Sequence, residues 1–172
     1  CIMFCSKNPA PLLPHISKLA DFNLYFHVTI TPYGTDVEPR VPDYQFVASA
    51  LKGLSNAIGR KNVVWRYDPI FIFKHYDVDF HIRTFAKIAA LLSGSVDICV
   101  ISFLDKYEKV VRNFPLAQPP SKKEIITLAN NFEKIAERYN IKLQSCAEAV
   151  DLSMFGISKV PCLTPQTLSQ LS

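Results

Sequence analysis

In the run VVWRYDPIF at residues 63–71, an arginine and an aspartate stand two positions apart inside an otherwise apolar stretch. In an extended strand that spacing sets Val64, Arg66 and Asp68 on one face and Val63, Trp65 and Tyr67 on the other. A buried charge is costly unless paired, so a face carrying both signs is either an ion pair satisfied in place or the lining of a site that grips a ligand. The guanidinium suits the second role, because its planar fork carries fixed donors for a carboxylate or phosphate and never loses its charge.

Other residues of chemical interest follow apolar runs in the same way. In parallel βα proteins the reactive groups gather at the carboxyl-terminal ends of the strands. That rule selects Lys7 and Asn8, then Thr31 and Tyr33, then Arg66 and Asp68, then Ser102 and Asp105, and finally Cys146 and Glu148. Arg66, Asp68 and Glu148 are the candidates for catalysis, with Glu148 either a general acid or base or a solvated loop acid. The others are candidates for ligand contact, Lys7 supplying a second positive point for the same anion. His27 lies within its strand, as a hydrogen-bonded interior residue or a ligand contact. Cys146 reads as a small core hydrophobe rather than a nucleophile, since no histidine neighbours it in sequence.

Metal chemistry has little support in these residues. His15, His75 and His81 form no HxH or HxxxH pattern, and the five cysteines are irregularly spaced with no CxxC pair. Cys1 and Cys5 have a spacing that could suit a metal, but burial in a strand is the favoured reading.

The elements that must position these groups alternate. Strands are expected at residues 1–6, 24–31, 63–68, 96–102 and 141–146, which makes five. Helical stripes begin after Asp43 (Phe46, Val47, Ala50, Leu51, Leu54), after Asp77 (Val78, Ile82, Phe85, Ala89, Leu92) and after Ser121, where Glu124 completes a capping box. A weaker helix is expected over residues 10–20. The stretch FLDKYEKVVRNFPLAQPP, about eighteen residues, is either a lid that closes Lys106, Lys109 and Arg112 over an anion or a short amphipathic helix with a solvated face, the latter favoured.

Strands alternating with helices imply parallel βα repeats. The expected fold class is α/β, a partial TIM-type (βα)8 barrel of about five strands, with an open doubly wound sheet as the alternative. No GxGxxG turn exists among the five glycines, and the polar faces Tyr25, His27, Thr29, Thr31 and Lys142, Gln144, Cys146, Glu148 favour a barrel with a wet mouth. The 172 residues suit a single domain. A net charge of +4 without any basic run gives no nucleic-acid signature, and no apolar stretch reaches membrane-spanning length. The expectation is a cytoplasmic protein binding a small or anionic ligand, with self-association through open strand edges as a further option.

The motifs CIMFCSKNPAPLL, YFHVTITPYGTDVEP, VVWRYDPIF, VISFLDKY and LQSCAE resemble, in order and spacing, the central part of a family of uncharacterised bacterial proteins, domain of unknown function 1848. The likeness covers nearly the whole chain. Cys5 stands where relatives tend to have tryptophan, and Ser6 where they have threonine. The resemblance implies a barrel-type protein of which this chain is the central part, with first strands supplied upstream. It also implies a downstream cysteine cluster similar to the C-x3-C-x2-C motif of radical S-adenosylmethionine enzymes. A 4Fe–4S cluster and S-adenosylmethionine are therefore cofactors implied for the full-length protein, and this chain carries no cysteines of that spacing. The function expected on that basis is an iron–sulfur enzyme acting on an anionic ligand at the strand mouth, the alternative being a non-catalytic binding module.

Overall fold

The computed structural model describes residues 1–106, 108–146 and 150–161. Its strands are β1 (Ile2–Ser6), β2 (Leu24–Thr29), β3 (Val63–Ile70), β4 (Ile98–Phe103), β5 (Lys142–Ser145) and β6 (Ser158–Lys159). Its α-helices are α1 (Tyr44–Ile58), α2 (Val78–Leu92), α3 (Glu108–Asn113) and α4 (Lys122–Arg138). The six strands form one all-parallel sheet whose spatial order is the chain order. A doubly wound sheet reverses its order at a switch point, and this one does not. Right-handed crossovers that always advance the same way leave the helices on one face. The protein is an α/β fold built from an open run of parallel βα repeats.

Local chemistry explains why the helices start where they do. The carboxylate of Asp43 accepts from the Gln45 amide at 2.7 Å and that of Asp77 from the Phe80 amide at 2.7 Å. Ser121 and Glu124 form the reciprocal capping box ahead of α4. Residues Ala10–Leu19 wind as a 3-10 helix rather than an α-helix. Pro11 and Pro14 lack the amide hydrogens that an α-helix needs there, which the apolar spacing alone did not register.

The two faces of the sheet differ as the opening motif implies. The helix-covered face carries Phe26, Val28, Val63, Trp65, Tyr67, Cys99 and Ile101, packed with Leu51, Leu54, Phe85, Ile88, Leu128 and Phe132. Trp65 stacks on Phe85 at 4.8 Å and Phe85 on Phe132 at 4.0 Å, so one aromatic column ties β3 to α2 and α4. The opposite face has a small apolar patch of Tyr25, Val64 and Val100 flanked by Met3, Ile98 and Cys146. Its remaining inward positions are polar.

Two expectations need correction. The sheet has six strands among the described residues rather than five, because β6 is two residues long and gives no periodic signal. Cys1 and Cys5 are exposed rather than buried: β1 ends the sheet, so its side chains lack a neighbouring strand on one side.

Candidate functional site

The strand registers place the polar inward residues in layers. Thr29, Arg66, Val100, Gln144 and Ser158 lie side by side across five strands. One layer toward the amino-terminal ends, Cys5, His27 and Val64 are partners. Toward the carboxyl-terminal ends follow Asp68 and Ser102, and then the loops bearing Lys7, Thr31 and Glu38.

Two ion-pair networks occupy this rim. The Arg66 guanidinium donates through Nε to Asp68 Oδ2 at 3.2 Å and also through its terminal nitrogen, while the Ser102 hydroxyl donates to Asp68 Oδ1. The Lys7 ammonium pairs with Glu38 Oε1, and the Thr31 hydroxyl donates to Glu38 Oε2 at 2.8 Å. The Arg66 and Asp68 side chains keep only 18% and 23% of their exposure, so the pair is largely shielded from water. β3 and β4 shift register between Tyr67 and Ile70, and Pro69, which has no amide to give a ladder, sits at that irregularity just after Asp68.

His27 and Ser158 are the residues on this face whose buried side-chain polar atoms lack a hydrogen-bond partner among the described residues. His27 is 2% exposed, and neither ring nitrogen has such a partner. Burial, with the nearby Arg66 charge, lowers its pKa to about 4, so the ring is neutral at physiological pH. The expectation of a hydrogen-bonded interior histidine is thereby corrected. That description belongs to His81 on α2, whose Nε2 lies 2.9 Å from the Phe71 carbonyl and whose Nδ1 lies 2.9 Å from the Tyr67 hydroxyl. The carbonyl can only accept, so Nε2 carries the proton and Nδ1 accepts from Tyr67.

The remaining sequence candidates divide. Lys7, Thr31, Arg66, Asp68 and Ser102 take part in the two networks. Tyr33 is structural: its hydroxyl donates to the Pro69 carbonyl at 2.7 Å and accepts from the Phe71 amide at 3.2 Å, with its ring stacked on Phe71 at 4.3 Å. Burial raises the Tyr33 phenol well above its ordinary range, with Glu38 and Asp68 adding to that effect, so both carboxylates lie near the same ring. Asn8 shapes a turn, its side chain accepting from the Ala10 amide at 3.2 Å, and Asp105 is exposed. Cys146 is partly buried at the edge of the inner apolar patch. Glu148 lies outside the described residues.

Glu38 is the member of these networks that the sequence reading missed. It sits in TPYGTDVEP, a motif conspicuous for its turn residues, but nothing in the spacing shows that a carboxylate seven positions after Thr31 folds back onto it. The glycine of that motif has a steric reason. A Cβ on Gly34 would lie 3.3 Å from both Asp36 and the Tyr76 hydroxyl, which accepts from the Gly34 amide at 2.9 Å and donates to Asp36 at 2.5 Å.

Beside the networks lies a cavity of about 190 Å³ lined by Val37, Glu38, Pro69, Phe71, Leu104, Val110, Phe114 and Ala117. The stretch after β4 covers it. Of the two readings of that stretch, the short helix is observed as α3. The stretch is fastened at both ends, by the Leu104 amide to the Ile70 carbonyl at 2.9 Å and by paired backbone bonds between Ile72 and Gln118 at 2.8 and 3.0 Å.

The family comparison bears directly on this rim. The family described as domain of unknown function DUF1848 matches residues 1–172. The chain belongs to that family. Within the DUF1848 chain, the motifs KNP, TPYGTDVEP and WRYDP supply Lys7, Thr31, Glu38, Arg66 and Asp68, the residues that meet in the two networks. No curated protein matches it significantly. Among the described residues no three His, Cys, Asp or Glu side chains come together to hold a metal ion, so they do not fit the iron–sulfur cluster that the family resemblance implies. No described helix is long and apolar enough to cross a membrane.

Proposed function

We propose that this DUF1848 chain is the central part of an enzyme that binds an anionic small molecule across the carboxyl-terminal ends of β1, β2 and β3. The observation that supports this is the pair of salt-bridged networks on the sheet face opposite the helices. Lys7, Glu38, Arg66 and Asp68 sum to no net charge, so the rim does not draw anions from a distance. Recognition is instead local: an incoming carboxylate or phosphate takes over donors from Asp68 or Glu38 in a partly dehydrated site, where charge-assisted bonds are strong. Asp68, once displaced from Arg66, is the group placed to accept a proton from the ligand. His27 supplies a neutral imidazole one layer below, able to donate and accept together.

In this reading the sheet belongs to a closed (βα)8 barrel in the full-length protein, the setting is cytoplasmic, and an iron–sulfur cluster with S-adenosylmethionine draws its cysteines from outside the described residues. Replacing Arg66 with alanine in the full-length protein is expected to abolish binding of simple carboxylates and phosphate while the far-ultraviolet circular dichroism stays unchanged. Undiminished binding removes the proposal.

A second reading, a non-catalytic binding module, is favoured by Lys7 and Arg66 each being paired with a carboxylate of the chain itself. Iron content and visible absorbance of full-length protein prepared without oxygen separate the two. A colourless, iron-free sample counts against the iron–sulfur enzyme. β1 and β6 end the sheet, and pairing between copies through those strands belongs to this second reading; a monomer in sedimentation analysis speaks against it.

A further inference from the structure

We infer that the ligand of this rim is amphiphilic, with a compact apolar group about the size of a phenyl ring or a branched four-carbon chain seated in the Val37–Ala117 cavity while its anionic end meets Lys7. This rests on the rim being the ligand site, and it adds the substrate's shape and polarity. Three observations carry it.

The cavity is apolar except for one residue. Val37, Pro69, Phe71, Leu104, Val110, Phe114 and Ala117 present carbon, and Glu38 is the single charged side chain. Dry cavities lined this way take up benzene-sized molecules at roughly 150 Å³, and this one offers about 190 Å³.

The cavity and the polar rim also share walls. Glu38 lines the cavity and holds both Lys7 and Thr31, and Pro69 lines it directly after Asp68. Among the described residues the Lys7 ammonium donates only to Glu38, which leaves two of its three N–H donors for a ligand headgroup. A molecule held there by its anion therefore has its next few atoms directed along Glu38 toward carbon.

Finally, the cavity walls are held by packing and backbone bonds of the chain itself. Phe71, Leu104 and Ala117 form a buried cluster with Tyr33, Val37, Phe73, Val110 and Phe114, and the covering stretch is tied at Leu104 and Gln118. A polar substrate would leave this surface unused, and water would gain few hydrogen bonds in it.

The test compares 3-phenylpropionate, propionate and toluene, each titrated into full-length wild-type protein by nuclear magnetic resonance. 3-Phenylpropionate is expected to bind at least about tenfold more tightly than propionate, the gain of burying a ring's apolar surface after ordering costs. Ala117→Leu, which fills the cavity, should reduce 3-phenylpropionate to the affinity of propionate while leaving propionate unchanged. Val110→Phe, at a partly buried position that lines the cavity from α3, gives the same comparison if Ala117→Leu does not fold. Lys7→Ala should weaken both acids and leave toluene unaffected. Equal affinity of the two acids for wild type, or full 3-phenylpropionate binding in both filled-cavity variants, overturns the apolar subsite while leaving the rim as an anion site. No binding of either acid to wild type, or propionate binding undiminished in Arg66→Ala, overturns the rim reading itself.

Discussion

Lowering the pH should destabilise this protein through one identifiable ring. His27 has a folded-state pKa of about 4 against 6.5 when unfolded, chiefly because burial disfavours its charge and secondarily because Arg66 is close. A base whose folded pKa is depressed takes up more protons in the unfolded state between those two values. Stability is therefore full above pH 6.5 and is lost as pH falls toward 4. From these pKa values, moving from pH 7.5 to pH 5 removes about 2 kcal/mol. Other groups titrate in the same range, and burial lowers the His81 pKa as well, so the informative quantity is a difference between proteins. His27→Phe keeps a ring and deletes both unpartnered nitrogens. Urea denaturation at pH 7.5 is expected to find it as stable as wild type or more stable, since burying an unpaired polar group is itself unfavourable. At pH 5 the variant should exceed wild type by about 2 kcal/mol more than it does at pH 7.5. Parallel stability-against-pH curves for the two proteins would refute the reasoning, because they would mean that the ring titrates alike in both states.

Further outcomes follow from the packing and the hydrogen bonds. Phe132→Ala removes the end of the Trp65–Phe85–Phe132 column from a fully buried position and should cost about 3–5 kcal/mol by urea denaturation. Tyr67→Phe leaves His81 Nδ1 without its donor in a sealed interior, for an expected loss of about 1–3 kcal/mol, whereas His75→Ala, at an exposed position, should change the same melt little. Asp77→Ala deletes the cap on the Phe80 amide and should lower stability by about 1 kcal/mol, read as a shift in the urea midpoint at constant slope. Asp68→Ala removes an acceptor from Arg66 and one from Ser102; a double-mutant cycle with Arg66→Ala is expected to give a coupling of about 1–2 kcal/mol, modest because the pair retains some exposure.

Much of the scaffold was legible because short-range chemistry dictates it. The caps at Asp43, Asp77 and Ser121 mark helix starts that need only neighbouring amides to form. The alternation in VVWRYDPIF separates Trp65 and Tyr67 from Arg66 and Asp68, and the structure divides them the same way, between the helix-packed core and the polar rim. Long-range pairing was not legible. That Lys7 meets Glu38 across thirty-one positions depends on β1 and β2 lying side by side, and that His27 is left unpartnered while His81 is doubly bonded depends on which face each occupies after folding. β6 escaped notice because two residues carry no period, and Cys1 and Cys5 were misplaced because nothing local announces an edge.

The fastening of the stretch after β4 has a thermodynamic consequence. Swinging α3 outward would break backbone bonds at Leu104 and at Gln118, which hold the pocket wall in place. A guest that fits finds its socket ready and forfeits little freedom of the host on entering, while one that does not fit cannot persuade the wall to yield. Selectivity on this side of the molecule would then come from steric refusal, with discrimination set by shape before any charge is read.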